Sequence, residues 1–331
     1  MLKFNEEQQR SSIQDALALR PRIEEVVDEI SRKGFRNLYF LGIGGTWASS
    51  MQAKTHMKER SSLWVNDLLS SEYNTTGDRC VGEGSVIIFS SVTGTTVEVV
   101  ESVRRAKEAG ATIFGFVDTA GTPLAELCDY WIQYPANEQL KFLIVADRFL
   151  YDNGEFDDYG RCYAEMDAHL ADALIETEKL ADDFGREFAE KHHDDPMHYF
   201  IGCGIQYGHT YSYAMCFWEE QHWRRSKSIH AGEFFHGTLE IIDRDTPVTL
   251  FLGEDSQRPL AERVKRFLPQ VCANYTCIDT KDYPLTGISP EFRGSICHIV
   301  LRTVTTRIDA HMERINCHPL QIRRYYRQWD Y

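Results

Sequence analysis

V-I-I-F-S-S-V-T-G-T-T-V-E-V-V-E-S-V-R-R, residues 86 to 105, decides how the rest of the chain is read. Four apolar residues give the length and β-rich composition of a buried strand. Ser90, Ser91, Thr93, Gly94, Thr95 and Thr96 break the run, and V-E-V-V-E-S-V resumes at helical spacing. A strand that feeds a hydroxyl-rich, glycine-containing turn and then a helix makes an anion site. The first N–H groups of the helix lack intrahelical partners, its dipole favours negative charge, and the hydroxyls add donors. An ordinary N-cap needs one hydroxyl, whereas five stand here within seven residues. The G-x-x-x-x-G-K pattern of a Walker loop is absent.

Outward from this turn the same grammar repeats. Residues 5 to 33 read as helix, divided at Arg20-Pro21, with Ile13, Leu17, Ile23, Val26, Val27 and Ile30 on one side. Asn37 to Leu41 reads as a buried strand, followed by G-I-G-G-T-W-A-S-S and a helix to about Arg60. Gly42, Gly44 and Gly45 permit close backbone approach, and Thr46 stands where a helix N-terminus faces a ligand. The full G-x-G-x-x-G of a dinucleotide site is missing. A strand near Leu63-Trp64-Val65 leads to Ser71-Glu72-Tyr73. Beyond the central turn come a helix to Glu108, a strand Thr112 to Val117, a short helix from Pro123 and a strand Tyr130 to Tyr134. Strands alternating with helices at this spacing predict a doubly wound parallel α/β sheet, with the two turns converging at one crevice.

Residues 140 to 191 read as mostly helical, and His192-His193-Asp194-Asp195-Pro196 as a solvated closing loop. The first pattern then returns: a strand His198 to Ile201, the turn G-C-G-I-Q-Y-G, a long helix to about Trp223, the strand Val248 to Leu252, a helix Pro259 to Leu268 and a strand near Ile296 to Leu301. The architecture expected is N-terminal helices over 1–34, a first α/β domain with connecting helices over 35–192, and a second with a C-terminal tail over 193–331.

The 331 residues carry a formal net charge of -14, which argues against nucleic acid or an anionic membrane as a partner. Nine cysteines, odd in number and without C-x-x-C spacing, fit reduced thiols. With no secretory signal pattern and no apolar run of spanning length, a cytoplasmic protein is expected.

Acid/base chemistry concentrates in F-W-E-E-Q-H-W-R-R-S-K-S-I-H-A-G-E-F-F-H-G, Phe217 to Gly237. Glu219 and Glu220, adjacent on a helix, point about 100° apart. Neighbouring Ala214, Met215 and Phe217 suggest burial, which raises a carboxyl toward a useful base. His236, between glycine-freed backbone and an exposed Phe234-Phe235 anchor, is of the residue type that can give or take a proton at a sugar ring oxygen. Glu233 and His230 complete the cluster. The residues alone leave catalysis and a solvated Glu/His surface both open, and the spacing matches no zinc motif.

The chain resembles the sugar isomerase (SIS) domain family in its two-domain form, nearest to the fructosamine-6-phosphate deglycases and the isomerase half of glucosamine-6-phosphate synthase. The resemblance rests on G-I-G-G-T-W-A-S, S-S-V-T-G-T-T, G-C-G-I-Q-Y-G, H-A-G-E-F-F-H-G with T-L-E-I-I-D, R-P-L-A-E-R and the tail H-P-L-Q-I-R-R-Y-Y. It implies two flavodoxin-like SIS domains in tandem, with Thr46, Ser91, Thr93 and Thr96 at phosphate-binding positions. Glu220 falls on the base that moves a proton between C1 and C2, and His236 on the ring-opening acid. Gly45, Glu72, Glu233 and His230 are further substrate-site candidates. No metal or redox cofactor is implied, and the expected assembly is a homodimer or higher oligomer with shared sites. Val92 stands where a polar residue is common, H-G-P has become His236-Gly237-Thr238, and the synthase's catalytic lysine has no counterpart. The implied activity is deglycation of a 6-phosphorylated Amadori or Heyns compound. A sugar-phosphate isomerase or a non-catalytic sugar-phosphate sensor is the alternative.

Overall fold

The computed structural model describes residues 1–133 and 137–330. The chain divides into two compact units, Gln8–Ala168 and His169–Tyr331 with Met1–Glu7.

In the first unit α1 (Glu6–Ala18) and α2 (Arg20–Lys33) precede β1 (Asn37–Gly42), α3 (Gly45–Lys58), β2 (Val65–Leu69), α4 (Ser70–Thr76), β3 (Ser85–Ser91), α5 (Val97–Glu108), β4 (Thr112–Val117), α6 (Pro123–Leu127) and β5 (Tyr130–Ile132). Then α7 (Glu138–Asp152) and α8 (Tyr159–Glu165) follow. The five strands are parallel in the order β2-β1-β3-β4-β5. Both faces are covered, so β1 and β3 are buried along their whole length and read as continuous apolar runs. Tyr39, Leu41, Ile87 and Phe89 pack on Val99, Val103 and Ala106 of α5. On the other face Phe40 and Phe116 meet Phe142 of α7. The strand expected to reach Tyr134 ends at Ile132, and Tyr134 lies outside the described residues.

A five-residue π-helical segment, Met166–Leu170, runs across the boundary in sequence, and the second unit holds α9 (Ala171–His192), β6 (His198–Gly202), a continuous helical run over 204–219 whose central turn is α10 (Tyr207–Ser212), β7 (Ser226–His230), β8 (Val248–Leu252), α11 (Arg258–Phe267), β9 (Tyr275–Asp279) and α12 (Pro290–Asn316). Its parallel sheet has the order β7-β6-β8-β9, so the first sheet's 2-1-3-4 pattern recurs. Two parallel α/β sheets in tandem are therefore present.

The strand expected near Ile296 to Leu301 is instead the centre of the 27-residue α12. A short apolar run does not distinguish a buried strand from a helix enclosed on several sides, and Ile296, Val300, Leu301, Val304 and Ile308 are all fully buried. Nor is the 192–196 segment a solvated loop throughout. His192 ends α9 and is fully buried, with its Nδ1 2.7 Å from Asp195 Oδ2.

Candidate active site

β1 and β3 are adjacent, with β2 on the far side of β1, so the chain leaves their ends in opposite directions. A flavodoxin-type sheet opens its ligand crevice at this switch point. The crevice is bordered by the turn into α3, which carries Gly45 and Thr46, and by the turn into α5, which carries Ser91, Thr93 and Thr96. Thr96 is the N-cap residue of α5, yet its side chain makes no capping hydrogen bond. The hydroxyls are therefore not consumed in ending the helix. The Gly94 N–H donates to Ser91 Oγ at 3.1 Å and the Thr95 N–H to Thr93 Oγ1 at 3.4 Å, which leaves both hydroxyl protons to donate outward. A Cβ placed on Gly44 or Gly45 would meet no atom within 4 Å, so the backbone here faces open space. Thr46, Thr93 and Thr96 are half-buried, Ser91 is buried and Glu72 is exposed on α4.

Glu138, on the first turn of α7, had no signal in the sequence beyond being an acid at a helix start. Burial pushes its carboxyl above the usual range, against hydrogen bonds from Ser49, Ser90 and Thr46 and the charge of Lys141. It thus sits among hydroxyls of the first crevice. Lys141 is itself buried, and that burial pulls its ammonium down.

The acid/base cluster lies in the second unit. The run 204–219 ends in a seven-residue π-helical segment, Tyr213–Glu219, and such widened turns frequently occur at functional sites. The Glu220 N–H reaches back to the Met215 carbonyl at 3.0 Å. Its Oε1 accepts from Arg323 Nε and from the same guanidinium's terminal nitrogen, both at 2.8 Å. Glu219, the other member of the pair, accepts from Ser226 Oγ at 3.3 Å. Both carboxylates line a cavity of about 830 Å³ with Asp195, Trp223, Arg224, Arg225, Arg323 and Arg324. Trp223 takes φ 56°, a left-handed conformation that costs a bulky residue energy, and its ring is covered by Arg324 at 4.1 Å.

At the edge of this cavity one oxygen, Asp195 Oδ2, lies 2.7 Å from His192 Nδ1 and 2.9 Å from His198 Nδ1. These are direct hydrogen-bond distances, shorter than the roughly 3.3 Å between donors that share a tetrahedral ion. The trio is a proton-sharing cluster. Burial raises the Asp195 carboxyl, but bonds from His192 and His198 outweigh it and hold the group below its ordinary value.

His236 is exposed on a one-turn 3-10 helix, Phe234–His236, and does not line the cavity around Glu220. The Phe234-Phe235 pair is not an exposed anchor. Phe234 is fully buried in the core of the second unit, and Phe235 packs edge-on to Phe267 at 5.4 Å with Arg263 4.1 Å above its ring. Apolar side chains on alternate sides of such a tight turn point inward when a helix lies beneath them. His230 is half-buried beside Tyr207, and its Nδ1 accepts the Gly232 N–H at 3.1 Å, which leaves the ring proton on Nε2. Burial lowers its pKa, partly offset by Glu233, which is exposed.

Comparison with known proteins agrees with this architecture. Residues 33–146 match the family model of the SIS domain, which bears out the resemblance read from the motifs. The fructosamine deglycase of Bacillus subtilis is 29% identical over 93% of this chain and 97% of its own. The fructoselysine 6-phosphate deglycase of Escherichia coli is 25% identical over 78% of this chain and 77% of its own. A crystal structure from Bacillus subtilis, provisionally described as a phosphosugar isomerase, superposes with a TM-score of 0.89 at 26% identity, covering 96% of this chain and 99% of that one. The chain is thus similar, over nearly its full length, to a protein named as a fructosamine deglycase and to a structure described as a phosphosugar isomerase. No helix among the described residues is long and apolar enough to cross a membrane.

Proposed function

We propose that the protein is a deglycase that hydrolyses a 6-phosphorylated Amadori or Heyns compound, such as fructoselysine 6-phosphate, to a hexose 6-phosphate and a free amine. The observation that carries this reading is Glu220, held by Arg323 at the wall of a large cavity, in a chain with an open hydroxyl-lined crevice and deglycase relatives. The Ser91, Thr93, Thr96 and Thr46 hydroxyls hold the phosphate, with the uncapped N–H groups of α5.

His236 protonates the ring oxygen of the ketosamine and the ring opens. Glu220 then takes a proton from C1, and the electron pair moves to give an enaminol. Reprotonation at C2 gives the imine of an aldose, which water cleaves to glucose 6-phosphate and amine. The atoms balance as substrate plus one water.

Arg224, Arg225 and Arg324 line the same cavity, and among the described residues none has a carboxylate within ion-pairing distance, Arg224 meeting only Asn316 Oδ1 at 3.4 Å. They suit the carboxylate of an amino-acid leaving group. Because His236 stands apart from the cavity of its own chain, the acid is supplied across a homodimer. The nine free thiols fit a cytoplasmic protein. A panel of Amadori and Heyns 6-phosphates, with sugar phosphate and amine both followed, tests the reading. Release of both is expected, whereas a ketose–aldose interconversion that leaves the amine attached would favour an isomerase.

A further inference from the structure

The two sheets present the same pair of turns, and only one is open. Strand pairing sets Leu41 beside Phe89 in the first sheet and Ile201 beside Leu250 in the second. Counting forward from these pairs, Gly202 to Tyr207 corresponds to Gly42 to Trp47, and Gly253 to Gln257 to Val92 to Thr96. The correspondence extends to backbone conformation, since Gly44 has φ 59° and Gly204 φ 66°. It extends also to the helices that follow, α5 starting after Thr96 and α11 after Gln257. The second sheet therefore has a switch-point crevice of its own, between β6 and β8.

That crevice is filled from within. The Ile205 N–H, in the first turn of the run over 204–219, donates to Asp255 Oδ2 at 2.7 Å. The Gln257 N–H donates to the other oxygen, Asp255 Oδ1, at 3.1 Å, and the Gly204 N–H donates to Gln257 Oε1 at 3.1 Å. A carboxylate thus accepts from both turns at once, in the place where a bound anion would. A Cβ on Gly204 would stand 2.2 Å from Asp255 Oδ2, whereas one on Gly44 would meet nothing within 4 Å. Gln206 replaces the half-buried Thr46 with a fully buried amide, against which a Cβ on Gly253 would lie at 2.4 Å.

We infer that Asp255 is a built-in anion that closes the duplicated crevice, so that each chain takes the phosphate of its substrate at one crevice only. The fixed carboxylate satisfies the N–H groups that would hold a phosphate, and its charge repels one. The inference rests on phosphate binding at the first crevice and assigns Asp255 as the residue that denies it to the second.

The test is titration calorimetry of the full chain with inorganic phosphate and with glucose 6-phosphate. The wild type is expected to bind one ligand per chain, and Thr93→Val to weaken it about tenfold to a hundredfold. Adding Asp255→Ser to Thr93→Val is expected to restore one phosphate per chain, at a site with new N–H donors. Two ligands per wild-type chain would overturn the inference. So would a folded double variant that binds phosphate no better than Thr93→Val. If the wild type binds neither ligand, the reading of the first crevice fails, while the gain of one phosphate on adding Asp255→Ser still decides the inference. Should Asp255→Ser not fold, Asp255→Asn keeps the shape without the charge. It is expected to melt roughly 3–8 °C below wild type, and an unchanged melting temperature would overturn the assignment.

Discussion

Thr93 is half-buried at the open crevice, and among the described residues its Oγ1 accepts only the 3.4 Å bond from the Thr95 N–H. On the proposed phosphate site, Thr93→Val removes a donor to the ligand and almost nothing from the fold. Loss of a hydrogen bond to a charged group is worth about 1.5–3 kcal/mol, so KM is expected to rise about tenfold to a hundredfold with kcat nearly unchanged. Steady-state kinetics on a 6-phosphorylated Amadori compound check this, and an unaltered KM would remove Thr93 from the phosphate site. Glu220→Gln keeps an oxygen for Arg323 to donate to and loses the proton acceptor. It is expected to lower kcat at least ~10²-fold without loss of stability. If Glu219→Gln is instead the inactive variant, the roles within the pair are exchanged. At this scale the sequence exposed the hydroxyls and the Glu/His cluster through composition alone. It hid Glu138 and Asp255, because a lone carboxylate near a helix start looks the same whether it faces water, fills a crevice or joins a site. Phe234 is buried against expectation for a related reason. Whether an aromatic in a tight turn points out or in is decided by a helix thirty residues further along the chain, Phe267 of α11.

β6 and its flanks bury a cluster of imidazoles. His198 is fully buried between Phe200 and Trp218, with ring centroids at 4.6 Å from each, and its Nε2 pairs with Thr249 Oγ1 at 2.8 Å. Burial foremost pulls its pKa down to about 4, although Asp195 opposes the shift. The folded protein therefore holds fewer protons than the unfolded chain between about pH 4 and the ordinary histidine value near 6.5. Stability from this group is complete above that window and falls as pH falls through it. Between pH 7 and pH 5 the loss is on the order of 2 kcal/mol. Urea unfolding at the two pH values measures it, and equal midpoints would show that His198 is charged in the folded state. Elements flanked by glycine turns and buried on both faces, β1, β3, β4 and β8, were legible as apolar runs. The edge strands β7 and β9 were not. S-K-S-I-H reads as a polar bend and Y-T-C-I-D has little apolar content, because each strand is covered along part of its length only.

For the whole molecule, the tandem α/β architecture follows from repetition of one strand–turn–helix phrase, which makes it legible in a single sequence. How the proposed catalytic groups on separate turns would meet is not legible there, since one sequence does not fix the assembly that the proposed shared site needs. Glu220 and His236 are sixteen residues apart, and only Glu220 lines the cavity. The shared-site dimer predicts that Glu220→Gln and His236→Ala proteins, each nearly inactive, regain a measurable fraction of activity when refolded together. Mixed dimers that form, as shown by tag pull-down, and stay inactive would place both groups in one chain's site.

The central claim is proton transfer from C1 to C2 of a phosphate-anchored sugar by Glu220, followed by hydrolysis. Its most direct test is turnover of fructoselysine 6-phosphate in deuterium oxide, with the released glucose 6-phosphate examined by proton NMR. Deuterium at C2 is expected with the wild type, with no product from Glu220→Gln and very poor turnover of unphosphorylated fructoselysine. Release of the amine with fructose 6-phosphate that keeps both C1 hydrogens, or equal turnover of the unphosphorylated compound, would contradict the account, since C2 of the substrate bears no hydrogen until it is protonated.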